Sequence, residues 1–437
     1  MKKNKISSKL IKPHTPTPQN LKNYKLSFID EIVPPVNIAV ILFYQSKPEN
    51  GSLQLEESLA RILVDFYPLA GRFINNYSSI DCCDEGAELA EAEALDVELI
   101  DLVAKINVDQ IDNLLPYKHF PQNGAPDNPI LSIQITRFSC GGAAIAISVS
   151  HRIFDASSIV TFVNAWTDAN NPDDAKRVIT PSFHLPSLLP SVIPNDNLAP
   201  APAPASVSGH KAVLKRVLFN KEALRRLKSR IRHPNGKPLS GVRVVAAVMA
   251  KAQFRLDRAI HGRSRTSVVF QGVDMRGRSI PPQSTHTCGN FSIIAMTGRI
   301  EAADEVDVNE LVRLLGDSVR GAIARHAEIL SPDRDGRDIF TNTVENYSRY
   351  FFDPQINDLT ISDLSRLGFQ KADFGWGKPA ASTIFQLCQP VRNLVMLMSD
   401  KSGDGIEAWL YLNQDEVPYF EQDEEIKPFI SYCPSCL

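Results

Sequence analysis

Two short segments carry the side chains best suited to chemistry. The first is His151-Arg152-Ile153-Phe154-Asp155, at the end of an apolar run. A histidine is the side chain whose ordinary proton affinity suits it to move a proton near neutral pH, and it does so best when held rigidly beside a cleft. The same spacing also fits a histidine that merely packs. The second segment, Asp373-Phe374-Gly375-Trp376-Gly377-Lys378-Pro379, sets an acid before two aromatics and two glycines, which fits a tight turn with aromatic packing.

Other chemistries have weaker support. Cys288, in His286-Thr287-Cys288-Gly289-Asn290, could form an acyl-enzyme with His286 as its base, but the glycine that follows favours a turn over the extended segment such a pair needs. No G-x-S-x-G elbow occurs, which weakens a hydrolase. Cys433-Pro434-Ser435-Cys436 has no second pair at zinc spacing and reads as a tail. No cofactor or metal is expected.

The elements around His151 follow from periodicity. Ala143 to Ser150 alternates Ile145, Ile147 and Val149 with Ala144, Ala146 and Ser148, as a buried strand does. Ile159, Phe162, Val163 and Trp166 then fall at helical spacing, predicting a helix from about Ser157 or Ser158. His151 and Asp155 therefore lie on a strand-to-helix turn. Strands are also expected over Asn37–Tyr44, Ile130–Phe138, Ala212–Phe219 and Ser267–Met275, with helices at Leu59–Phe66, from Asn220 and from Ser240. The fold class is α/β throughout.

A chain of 437 residues, 43% hydrophobic, exceeds a usual single domain. Seven prolines between Pro181 and Pro204 mark a crossover. We therefore divide the chain into residues 1–170, a linker 171–210, and residues 211–437. A net charge of −3 gives no reason to expect a nucleic-acid partner. The odd count of seven cysteines, a polar start and no apolar run long enough to span a bilayer predict a reduced, soluble, cytoplasmic protein.

Together HRIFD and DFGWG resemble the two signatures of the BAHD family of plant acyl-CoA-dependent acyltransferases, HxxxD and DFGWG. Ile11-Lys12-Pro13, Leu26-Ser27-Phe28-Ile29-Asp30, Tyr67-Pro68-Leu69-Ala70-Gly71-Arg72 and Gly405-Ile406-Glu407-Ala408-Trp409 extend the likeness over nearly the whole chain. It looks most like the vinorine synthase-like branch. The resemblance implies two similar-sized chloramphenicol-acetyltransferase-like domains with an active-site channel between them. His151 would be the general base. Asp155 would point away and pair with Arg276, fastening the turn.

Asp373 and Trp376 would be structural, and Asn290 would stand beside the channel. Ser240, opening a helix, would contact CoA, as would some of the ten Lys and Arg between Lys211 and Lys237, which otherwise read as the solvated face of an amphipathic helix. The co-substrate implied is an acyl-CoA, with acetyl-CoA leading. The acceptor would be a hydroxyl of a hydrophobic alkaloid, terpenoid or phenolic, or else an amine, and the enzyme would act as a monomer. A non-catalytic CoA-binding protein of the same fold is the alternative. Condensation domains share a related histidine motif, but their doubled histidine is missing here. Two positions depart from the family pattern: Ala156 replaces a usual glycine, and Ala250 a usual bulky aromatic.

Overall fold

Strand Ala143–Ser150 is buried along its whole length, because neighbours flank it on both sides and side chains cover both faces. In a computed structural model it is central to a six-stranded sheet. The structure describes all residues except 49–50, 75–76, 105–106, 117–127, 172–178, 192–211, 232–238, 332–335, 352, 387–392 and 433–437. Most of the proline-rich crossover, part of the basic stretch and the CPSC tail thus lie outside the described residues.

The first sheet runs Asn4–Ile11, Ala87–Ala94, Leu131–Phe138, Ala143–Ser150, Asn37–Tyr44 and Ala381–Gln386 in spatial order. Its last strand comes from the C-terminal part of the chain and pairs antiparallel with Asn37–Tyr44, Ala381 opposite Phe43 and Gln386 opposite Ile38. The second sheet runs Ser292–Met296, Ser267–Asp274, Asn357–Asp363, Leu394–Ser399, Ile406–Asn413, Ala212–Phe219 and Ser431–Tyr432. A small sheet joins Asn23–Lys25, Ser79–Asp81 and Arg72–Ile74.

Side-chain alternation along the second sheet explains how the sheets share a core. Leu394, Met396 and Met398, with Trp409 and Tyr411, join the cluster built mainly on the first sheet. Val395, Leu397, Ala408, Leu410 and Leu412 face the other way, into a cluster with helix Gly241–His261. Ala250 is fully buried in that second cluster, so its small side chain is met by packing.

The helix after His151 spans Ala156–Asn170, starting earlier than the sequence reading placed it. Its N-cap is Asp155, whose Oδ1 accepts the Ser158 N–H at 2.9 Å. Aspartate caps at least as well as serine, so both residues advertised a start and the first one took it. Ala156 is then the first helical residue, where a Cβ meets no backbone penalty.

Candidate active site

His151 is pinned through its main chain. Its N–H donates to the Val36 carbonyl at 2.7 Å, and its carbonyl accepts from Asn290 Nδ2 at 2.7 Å. The imidazole is half-buried, and its Nδ1 has no hydrogen-bond partner among the described residues. Burial lowers its proton affinity below the ordinary histidine value, while main-chain carbonyls, the Asp155 charge and the Asn290 side chain pull the other way. The ring is therefore neutral at pH 7.

Asp155 does not orient that ring. Its Oδ1 accepts from Ser158 N–H and Ser158 Oγ–H, both at 2.9 Å, and from Arg276 Nη2 at 3.0 Å. Its Oδ2 accepts from Arg276 Nη1 at 2.9 Å and from the Phe291 N–H at 3.1 Å. Burial alone would raise this carboxyl, but Arg276 and these donors hold it below the ordinary aspartate value.

Arg276, with a side chain 1% exposed, spends its remaining donors on the carbonyls of Thr287 at 2.8 Å and Gly289 at 2.9 Å and on Asp274 at 2.8 Å. Gly289 is required there. Its φ is +127°, and a Cβ would lie 2.6 Å from Leu185 Cδ1.

A layer the sequence reading did not assign lies behind Asn290. Asp30 is fully buried at the start of the short helix Phe28–Ile32 and accepts from Asn290 N–H and Nδ2–H, each at 2.8 Å. Ser27 donates its N–H at 3.0 Å and its hydroxyl at 2.6 Å to the other oxygen. The Ser-x-x-Asp spacing of a capping box was the available signal. Arg152, 3% exposed, donates to the Glu31 carbonyl of this helix and stands 6.0 Å from the Tyr77 ring centre.

The structure brings His151, Asp155, Arg276 and Asn290 together and puts DFGWG elsewhere. Asp373 accepts the Gly375 N–H at 2.8 Å, and Gly375 and Gly377 take φ of +80° and +82°. The carbonyls of Asp373 and Phe374 accept from Asn171 and Asn170 side chains, each at 2.6 Å, at the far end of helix Ala156–Asn170. Phe374 meets Trp166 edge-on at 4.8 Å, and Trp376 meets Tyr44 at 5.4 Å.

Ser240 is exposed, its hydroxyl accepting the Arg243 N–H at 3.2 Å as the cap of helix Gly241–His261. On the basic helix Lys221–Arg230, Lys221 pairs with Asp404 and Arg225 with Glu222, while Arg226 and Arg230 stack on Phe429. Cys288 is fully buried, and burial pushes its thiol far up from the ordinary value, leaving no ready thiolate at neutral pH.

A sequence profile described as the Transferase family matches residues 1–427. The chain belongs to the BAHD acyltransferase family. It is 48% identical over 98% of its length to pelargonidin 3-O-(6-caffeoylglucoside) 5-O-(6-O-malonylglucoside) 4'''-malonyltransferase of Salvia splendens, covering 99% of that protein. Vinorine synthase of Rauvolfia serpentina is 34% identical over 94% of each chain. A crystal structure of vinorine synthase superposes with a TM-score of 0.80 at 32% identity, covering 99% of both chains. As a BAHD protein the chain is an acyl-CoA-dependent acyltransferase. Among the described residues, no helix is long and apolar enough to cross a membrane.

Proposed function

We propose that this acyltransferase moves a malonyl group from malonyl-CoA to a sugar hydroxyl of an acylated pelargonidin-type glucoside, with His151 as general base. The chemistry rests on one observation: a half-buried imidazole on a turn whose main chain is tied to Val36 and Asn290. The substrates are favoured by the 48% identity to the Salvia malonyltransferase, which moves the leading donor away from acetyl-CoA. Acetyl transfer to an alkaloid alcohol is the second reading, supported by the 33% identity to stemmadenine O-acetyltransferase of Catharanthus roseus and the 34% identity to vinorine synthase.

The enzyme acts as a monomer on a ternary complex. His151 takes the hydroxyl proton as the acceptor oxygen attacks the thioester carbonyl; the C–O bond forms, the C–S bond breaks, and the proton passes to the departing thiolate. Asp155 and Arg276 hold the turn and touch neither substrate. Asn290 borders the channel, and Ser240 contacts CoA at a helix N-terminus.

The test measures free-thiol release from malonyl-CoA and acetyl-CoA with the caffeoylated pelargonidin diglucoside and with an alkaloid alcohol, identifying esters by mass. His151→Ala is expected to lose about 10²- to 10⁴-fold in kcat, the usual worth of general-base help. Thiol release that survives the substitution would remove His151 from the chemistry. CoA binding without transfer to any acceptor would favour a non-catalytic protein.

A further inference from the structure

We propose that Asp30 is a positioning residue for His151: through Asn290 it fixes the His151 carbonyl, and with it the turn that aims the imidazole. This rests on the reading of His151 as the base. Asn290 Nδ2 is shared between Asp30 Oδ1 at 2.8 Å and the His151 carbonyl at 2.7 Å, so the carboxylate sets the amide plane and the amide sets the carbonyl. A neutral amide at position 30 could not do this. Its NH2 would face either the Ser27 donors or the Asn290 donors, one of which would lose its acceptor.

The network also joins distant parts of the chain, since Asp30 and Asn290 are 260 positions apart and Asn290 and His151 139. It supplies a second tie to the turn besides the Asp155–Arg276 pair.

Burial raises the Asp30 carboxyl to about 6, against the pull of the Ser27 and Asn290 donors. Glu31 on its own helix, Tyr24 from the small sheet, and Arg152 and His151 on the turn are the ionisable neighbours; the loop bearing Asn290 adds the Cys288 thiol near Tyr24. When Asp30 takes a proton, an oxygen that accepted becomes a donor and one of its four donors is displaced. Activity in the wild-type enzyme should then fall on acidification as two groups protonate, His151 and Asp30.

The experiment follows kcat, KM and their pH dependence with malonyl-CoA and the caffeoylated pelargonidin diglucoside in wild type, Asp30→Asn, Ser27→Ala and His151→Ala. Asp30→Asn is expected to lose about 10- to 100-fold in kcat at pH 8, the scale of a misplaced base, with KM for malonyl-CoA changed less than about twofold and a shallower acid limb. Ser27→Ala removes the 2.6 Å donor and should move the acid limb to higher pH. A folded Asp30→Asn enzyme with wild-type kcat and pH profile overturns the proposal. Should Asp30→Asn fail to fold, Ser27→Ala decides, and an unmoved acid limb overturns it. Activity surviving in His151→Ala would instead overturn the reading beneath it.

Discussion

Asp155 and Arg276 show how much of this candidate site is spent on holding one loop still. Both are buried, and each has its hydrogen-bonding capacity taken up by the other and by neighbouring backbone. Removing Arg276 strands the Asp155 charge, so Arg276→Ala should cost about 3 to 5 kcal/mol, read by denaturant unfolding, with activity lost in parallel, whereas Asp155→Ala leaves Arg276 its Asp274 partner and should cost less. Asp155→Asn combined with Arg276→Gln should recover part of the stability.

The pH dependence has a definite sign. The Asp155 carboxyl sits below its ordinary value in the folded state, so its contribution is complete above about pH 4 and disappears as pH falls through the folded value. Asp30 behaves oppositely: its folded value of about 6 exceeds the unfolded one, so stability from this group is greatest below about pH 4 and declines as pH rises through 6. Unfolding free energies measured in the wild type and Asp30→Asn between pH 4 and 8 should diverge in that sense. Residue types and spacing exposed His151 on a strand-to-helix turn. They could not expose the partner of Asp155, 121 positions away, which only family likeness supplied, nor Asp30 behind Asn290.

One helix ties the two motifs together. Asp155 caps the N-terminus of Ala156–Asn170, and Asn170 and Asn171 at its other end grip the carbonyls of Phe374 and Asp373. Fifteen residues at about 1.5 Å each put the two ends roughly 22 Å apart, so DFGWG meets this helix at the end remote from His151. Trp376→Ala should cost about 3 to 5 kcal/mol in unfolding measurements, through loss of its packing on Tyr44 and Gly51. KM for the substrates should change little in the folded fraction.

Periodicity exposed these elements well. The strands at 37–44, 143–150, 212–219 and 267–274 and the capped helices after Asn220 and Ser240 lie where apolar spacing and capping residues placed them. The start of Ala156–Asn170 was displaced because Asp155 caps at least as well as Ser157 or Ser158 and comes first, its Oδ1 taking the Ser158 N–H.

At the scale of the molecule, the two sheets share a core, and the C-terminal part of the chain lends the first sheet a strand. Tryptophan, tyrosine and methionine side chains of the second sheet complete the first core, and Ala381–Gln386 closes one flank of the first sheet. The sequence reading assigned no strand to Ala-Ser-Thr-Ile-Phe-Gln, and nothing in its residues says which sheet receives it; only the fold does. A site-specific protease cut introduced between residues 199 and 200 should therefore leave two pieces that elute together in gel filtration and separate only in denaturant. Two peaks under native conditions would show that the shared strand and core do not hold the pieces.

The borrowed strand also sets an order of events during synthesis. Asn37–Tyr44, the apolar stretch NIAVILFY, leaves the ribosome more than 330 residues before Gln386 does. At about 5 to 20 residues per second, its outer edge waits roughly 20 to 70 s for a partner. An open apolar edge is a template for pairing with other chains. Holdase chaperones that cover this edge should therefore raise the yield of soluble enzyme, and that yield should follow their abundance and the speed of translation.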